Sequence, residues 1–123
     1  MTLRGRDKLA GVNADLVRLV ERAALLMPLV VLEGVRSKER QATLVADGKS
    51  QTMNSRHLTG DAIDLAPDPI DWKDTKRFYV MYGYLRGLAE SMDLAIRCGA
   101  DWDGDFTYSD QTFHDLPHIE VRR

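Results

Sequence analysis

One cysteine in 123 residues, Cys98, excludes an intrachain disulfide and any cysteine-built zinc knuckle. In the stretch "AIRCGA" it reads as a small buried thiol. Long apolar runs are missing as well: none approaches the roughly 18 residues of a membrane span, and "MTLRGRDKLAGVNADL" has no apolar core of signal-peptide length. The expectation is a chain made in a cytoplasm, with no stable membrane association. The basic residues form no stripe interleaved with aromatics, and the net charge is −2, so nucleic acid is not an expected partner. Repeats, low-complexity segments and linkers are also missing, which leaves one domain large enough to bury a core unaided and expected to be monomeric.

What is present alternates between helical and strand periods. Asn13 can cap a helix from about Ala14 to Met27, with Leu16, Leu19, Val20, Ala23 and Met27 on one stripe, and Pro28 stops it. "LVVLEGVRS" reads as a buried strand, and Ser37 caps a second helix, "KERQATLVAD", that ends at Gly48. A polar loop, "GKSQTMNSRHLTG", delivers the chain to the strand "DAIDLA", closed by Pro67 and Pro69. A long helix follows from about Asp74 to Met92, with Phe78, Met81, Tyr82, Leu85 and Leu88 inward. "LAIRCG" and "PHIEV" make two more strands, separated by the acidic segment "DWDGDFTYSDQTFHD". The order of elements predicts an α+β fold, a small antiparallel sheet with helices packed on one face.

That pattern places chemistry. If Ile63, Leu65, Ile119 and Val121 face the helices, Asp64 and His118 emerge on the opposite, open face, because strand side chains alternate. His57 reaches the same place if its loop folds back, and Thr59 and Gly60 supply the turn chemistry for that. Each residue alone has an ordinary reading: a surface histidine, a satisfied strand carboxylate, a rim imidazole. Together, "SRHLTGDAID" has the form S-x-H-x-x-G-x-A-x-D, and "DLPHIE" adds a second histidine with an acid three residues before it. Two imidazoles and one carboxylate suit zinc, leaving the ion net positive with a fourth position for water. Structural zinc sites more often close with four protein ligands, so an open set points to catalysis.

"SRHLTGDAIDLAP" with "DLPHIEV" resembles the zinc peptidases of the D-Ala-D-Ala carboxypeptidase type, whose fold is shared with the hedgehog signalling proteins. The longer "EGVRSKERQATLVADGKSQTMNSRHLTGDAIDL" is similar, more narrowly, to the phage endolysins that are L-alanyl-D-glutamate endopeptidases. The likeness runs from about Leu9 to Val121. It implies one zinc ion held by His57, Asp64 and His118, a catalytic acid/base at Asp115, and a substrate-binding or oxyanion-stabilising arginine at Arg36. Ser55 and Gln41 match motif positions near the substrate. The sequence departs from the resemblance at "RCGADWDGD", where relatives carry a tryptophan and paired glycines and this chain has Cys98 and Ala100, a change in the pocket wall.

The chemistry fits those assignments. A carboxylate beside the metal can take the proton of a water and return it to the departing amine. Pro117 holds Leu116 extended and leaves Asp115 at the lip from which His118 enters the site. Glu120, on the face of His118, is the rival base; otherwise it orients a ligand imidazole or Arg36. His114 reads as a rim residue or substrate contact, and Arg36 has the alternative of a surface ion pair. Peptidoglycan stem peptides, the substrate implied, carry carboxylates that a cationic cleft suits. A lysin without a signal peptide reaches the wall after a holin opens the membrane, and the catalytic domain leaves no room for a separate wall-binding module. Two rivals remain: a D,D-carboxypeptidase trimming terminal D-Ala, and a non-catalytic zinc-bearing binding domain, for which Asp115 and Arg36 are needless. Asp101, Asp103, Asp105 and Asp110 lie in the acidic segment, which is either merely solvated or ordered by calcium; Gly104 is misplaced for an EF-hand loop.

Overall fold

The computed structural model describes residues 3–48, 56–100 and 115–122. Among these residues five strands form one sheet: β1 (Leu3–Arg4), β2 (Leu29–Glu33), β3 (Ala62–Pro67), β4 (Ile96–Gly99) and β5 (Asp115–Val121), in the order β1-β2-β3-β5-β4. Three helices accompany them: α1 (Ala14–Ala23), α2 (Lys38–Ala46) and α3 (Thr75–Ser91). The α+β architecture is the one expected, but the sheet is mixed. β1, two residues long and too short to show a period, pairs parallel with β2, while every other pairing is antiparallel. A parallel neighbour needs a crossover, which a 3₁₀ turn (Arg6–Leu9) and α1 supply. Arg4 secures the short strand by donating from Nε and Nη2 to both Asp68 oxygens at 2.9 Å.

Capping follows the sequence closely. The Asn13 side chain accepts from Asp15 N–H and Ser37 Oγ from Arg40 N–H, each satisfying a donor that the first helical turn leaves open. α1 ends earlier than Met27. Pro28 disfavours helical backbone at the residue before it, and the chain leaves through i→i−3 bonds from Leu25 to Arg22 and Leu26 to Ala23.

The core lies between the sheet and the pair α1 and α3. Leu16, Leu19 and Val20 of α1 and Phe78, Met81 and Leu85 of α3 pack on Val31, Ile63, Leu65 and Ile119, all essentially inaccessible to solvent. Each fully buried side chain of this size contributes about 1.5–3 kcal/mol relative to exposure. Cys98 is part of this core, as the bland reading of it predicted. α2 adds no residue to the cluster; its fully buried Gln41 turns instead to Arg36.

Alternation along β3 and β5 then brings Asp64 and His118 side by side on the other face, paired in register across the sheet. A bulge between Val31 and Glu33 places Glu33 opposite Asp64 on the other side. Glu33, Asp64 and His118 thus form one row across three strands.

At the far edge, β5 starts at Asp115, two residues before the expected Pro117, because Asp115 itself pairs with Gly99. A Cβ on Gly99 would lie 2.0 Å from the Asp115 carbonyl oxygen and 2.8 Å from its Cβ. Gly99→Ala is therefore expected to cost about 1–3 kcal/mol by forcing these strands apart. Urea denaturation measures this; an unshifted midpoint would show that β4 and β5 do not approach this closely.

Candidate metal centre and active site

His57 reaches the open face from a 3₁₀ turn, Arg56–Thr59, that leads directly into β3. Gly60 makes the return in the left-handed region, φ 81°, and a Cβ there would meet the Gly11 carbonyl at 2.4 Å. Two bonds lock the turn to the end of β2: Arg36 N–H donates to His57 O, and His57 Nδ1–H donates to Gly34 O, both at 2.9 Å. The imidazole is buried, with Nε2 3.2 Å from Asp64 Oδ1. His118 is oriented in the mirror sense: Nε2–H donates to Glu120 Oε1 at 2.8 Å, and Nδ1 lies 3.7 Å from the same Asp64 oxygen. Each ring has one nitrogen committed as a donor, so once the ring is neutral the other can offer its lone pair to a cation beside Asp64.

One donor atom from each of His57, Asp64 and His118 lies within 4.8 Å of the others, so the three can hold a metal ion. The fit is supported by Asp64 Oδ1, a buried carboxylate oxygen that accepts no aligned hydrogen bond among the described residues. A lone oxygen of that kind is costly unless a cation satisfies it. The outer bonds to Gly34 O and Glu120 are those that orient metal-bound imidazoles and set their tautomers.

Around this centre the charges are arranged in layers. Arg36 is buried, not a surface ion pair: Nε and Nη2 donate to the two Glu33 oxygens at 2.9 and 2.8 Å, Nη1 to Gln41 Oε1 at 2.7 Å, and Nη2 again to Asp64 Oδ2 at 3.4 Å. On the other flank, Glu120 Oε2 lies 2.9 Å from Arg56 Nε and 3.2 Å from Arg97 Nη2, charge contacts without hydrogen-bond alignment. Burial alone would raise Asp64, but the two imidazoles outweigh it and hold its carboxyl well below the usual range. Burial alone would lower His118, but Asp64 and Glu120 raise it to about 9 in the metal-free chain. Asp115 moves the other way. Burial and the charge of Asp64 push its carboxyl above the usual range, so it retains a proton more readily than an ordinary aspartate.

The residues expected from the sequence at this site, His57, Asp64, His118, Asp115, Arg36, Gln41 and Glu120, converge on it. Gln41 faces Arg36. Ser55, His114 and the acidic residues Asp101, Asp103, Asp105 and Asp110 lie outside the described residues, and so does the calcium reading attached to them. Sequence reasoning missed Glu33, Arg56 and Arg97 as neighbours of the site. Arg97 could have been placed by alternation against Cys98; the bulge that turns Glu33 to the open face has no pattern to announce it.

Comparison with known proteins decides what this constellation belongs to. The model of the phage L-alanyl-D-glutamate peptidases matches residues 1–122. The chain belongs to that family. The L-alanyl-D-glutamate peptidase of Escherichia phage T5 is 31% identical over 125 residues, spanning 93% of this chain and 91% of that protein. That of Listeria phage A118 is 32% identical over 99 residues, 75% of this chain but 30% of the longer relative. Among solved structures, the L-Ala D-Glu endopeptidase ChiX of Serratia marcescens superposes with a TM-score of 0.83 at 33% identity, covering 99% of this chain and 89% of that one. The D,D-pentapeptidase VanY of a VanB-type cassette, solved with Zn(II), has a TM-score of 0.56 at 15% identity over 89% of this chain and 72% of its own, which shows a shared fold.

A proton on His118 would compete with any metal bound at this cluster. Its folded pKa stands above the ordinary histidine value, so its contribution to metal-free stability is full below about pH 6.5 and is lost as pH rises through about 9. A metal needs the deprotonated ring and so gains over the same window. The melting-temperature gap between zinc-loaded and metal-free protein should therefore widen from pH 6.5 to 9. Calorimetry at the two pH values tests this; a constant gap would mean that His118 gives up no proton to solvent when the metal binds.

Proposed function

We propose that this chain is a zinc-dependent endopeptidase that hydrolyses the L-alanyl-D-glutamate bond of peptidoglycan stem peptides, the lytic enzyme of a phage. The observation that carries the reading is the His57–Asp64–His118 cluster, with both outer ring nitrogens anchored, in a chain that the family matches from residue 1 to 122. Zinc bound there supplies Lewis acidity toward a water and toward the scissile carbonyl.

The chain's own residues do the rest. His57 Nε2, Asp64 Oδ1 and His118 Nδ1 serve as the ligands, and Gly34 O and Glu120 keep the two imidazoles in the required tautomers. Asp115 is the acid/base. Its carboxyl feels the charges of Asp64, His118, His57 and Arg36, and its raised affinity for a proton suits a group that accepts one from water and passes it to the leaving amine nitrogen. Glu120 is the weaker choice, because burial alone would raise it but His118, Arg97 and Arg56 hold its carboxyl below the usual range, already occupied with those partners. Arg36 spends four of its N–H donors on Glu33, Gln41 and Asp64. It therefore acts by its charge beside the reacting group and by supporting Asp64, and a two-pronged grip on a substrate carboxylate is not open to its Nε/Nη2 edge. Gln41 supports Arg36, and Ser55 is assigned to the substrate side on the motif. No helix among the described residues is long and apolar enough to cross a membrane, and release to the wall through a holin-type opening completes the reading.

Digestion of purified peptidoglycan with mass analysis of the fragments tests the bond. Stem peptides with a free D-Glu amino terminus are expected, with L-Ala left on the glycan; release of free D-Ala alone would make the chain a carboxypeptidase. Asp115→Asn is expected to keep fold and zinc while its rate falls by roughly 10²-fold or more, as when general acid/base assistance is lost. Parent-like cleavage by the zinc-replete variant would move the role to Glu120.

A further inference from the structure

Glu33 stands at the end of β2 where the ladder is out of step. Val31 opposes Leu65 and Glu33 opposes Asp64, so two residues of β2 span one step of β3. Val31 is buried against the core, and two residues on Glu33 would face the same way in a regular strand. The bulge turns it over instead, a common use of bulges beside active sites. Its carboxylate then grips one edge of Arg36, accepting from Nε at 2.9 Å and Nη2 at 2.8 Å, while Nη2 also reaches Asp64 Oδ2 at the longer distance of 3.4 Å.

We propose that Glu33 is a positioning residue of this peptidase: by clamping the guanidinium of Arg36 it orients the Asp64 carboxylate, so that Oδ2 is held and Oδ1 is left to the metal. The inference rests on the reading of Asp64 as a ligand.

The relative lengths decide which contact governs. A guanidinium is rigid and planar, and a paired grip along one edge determines where the remaining N–H bonds point. The two short bonds to Glu33 and the 2.7 Å bond from Nη1 to Gln41 set the plane. Asp64 receives what is left, a single long contact that restrains Oδ2 without drawing in Oδ1. The Glu33 charge also offsets that of Arg36. With that charge removed, Arg36 is free to pair with both oxygens of Asp64, its nearest remaining carboxylate among the described contacts, and Oδ1 is withdrawn from the imidazoles. Arg40, 3.7 Å from Glu33 and half-exposed, is too loosely held to compete with Arg36 for the Glu33 carboxylate.

The test compares parent, Glu33→Gln and Asp64→Ala, with zinc affinity measured by competition against a chromophoric chelator and with kcat and KM on a stem peptide at saturating zinc. Loss of an outer-shell partner typically lowers metal affinity about 10- to 100-fold, and Glu33→Gln should fall in that range with KM unchanged. The cobalt-substituted variant should also show a shifted visible spectrum, which a merely structural role for Glu33 would leave alone. Parent-like zinc affinity in Glu33→Gln, with affinity lost in Asp64→Ala, overturns the positioning role and leaves the ligand reading intact. Parent-like affinity in Asp64→Ala overturns both. A raised KM with unchanged zinc affinity transfers Glu33 to substrate binding and also overturns the proposal. If Glu33→Gln does not fold, Glu33→Asp keeps the charge but is one carbon too short for the paired grip; weaker zinc binding is expected there, and parent-like affinity overturns the proposal in the same way.

Discussion

A buried carboxylate oxygen facing two imidazoles, Asp64 Oδ1 at 3.2 Å from His57 and 3.7 Å from His118, is the constraint that most of the site answers to. Charge in that position is expensive unless it is paired and hydrogen-bonded. The protein meets the requirement from three directions. Arg36 holds the other oxygen, the two rings approach the first, and each ring is held from behind by an acceptor of its own, Gly34 O or Glu120. None of these groups can move without exposing the cost of another. Such a centre is held by its own hydrogen bonds, with Oδ1 turned toward the two imidazoles.

The fold exists, in this sense, to present one row of side chains. α1 and α3 bury the inward residues of β2, β3 and β5, which pins the register of the sheet; a slip by one residue would put Asp64 and His118 into the core. Glu33, Asp64 and His118 then line up across three strands, with the next step of the ladder pairing Glu120 to Arg97. Negative side chains alternate with guanidinium groups on both flanks of the cluster. The environment also separates the two aspartates: Asp64 is driven to the charged form by its imidazoles, while Asp115, buried and repelled by Asp64, holds its proton more tightly. Neighbouring carboxyls pushed apart in this way can take different roles, ligand and proton carrier.

Much of this was legible in the residues. The alternation of "DAIDLA" and "PHIEV" gave the open face, the caps Asn13 and Ser37 gave two helix starts, and the gapped histidine motif gave the cluster. What escaped has a common physical cause: it depends on contacts between segments far apart in sequence. A two-residue strand has no period to read, and β1 is recognisable only by its partner β2. The bulge at Glu33 breaks the alternation that sequence reading relies on. The start of β5 at Asp115 depends on the close approach of Gly99. Arg36 shows the same limit from the other side, since its place near the site was foreseen but not the Glu33 clamp that occupies its donors.

The claim on which everything else stands is that His57, Asp64 and His118 jointly hold one metal ion. Elemental analysis of protein equilibrated with zinc and freed of loosely bound metal tests it most directly. The account predicts one zinc per chain in the parent and near-complete loss in His57→Ala and in His118→Ala, with both variants still folded. Full zinc occupancy in either variant would contradict it, because the ion would then be held without an imidazole that the account makes a ligand.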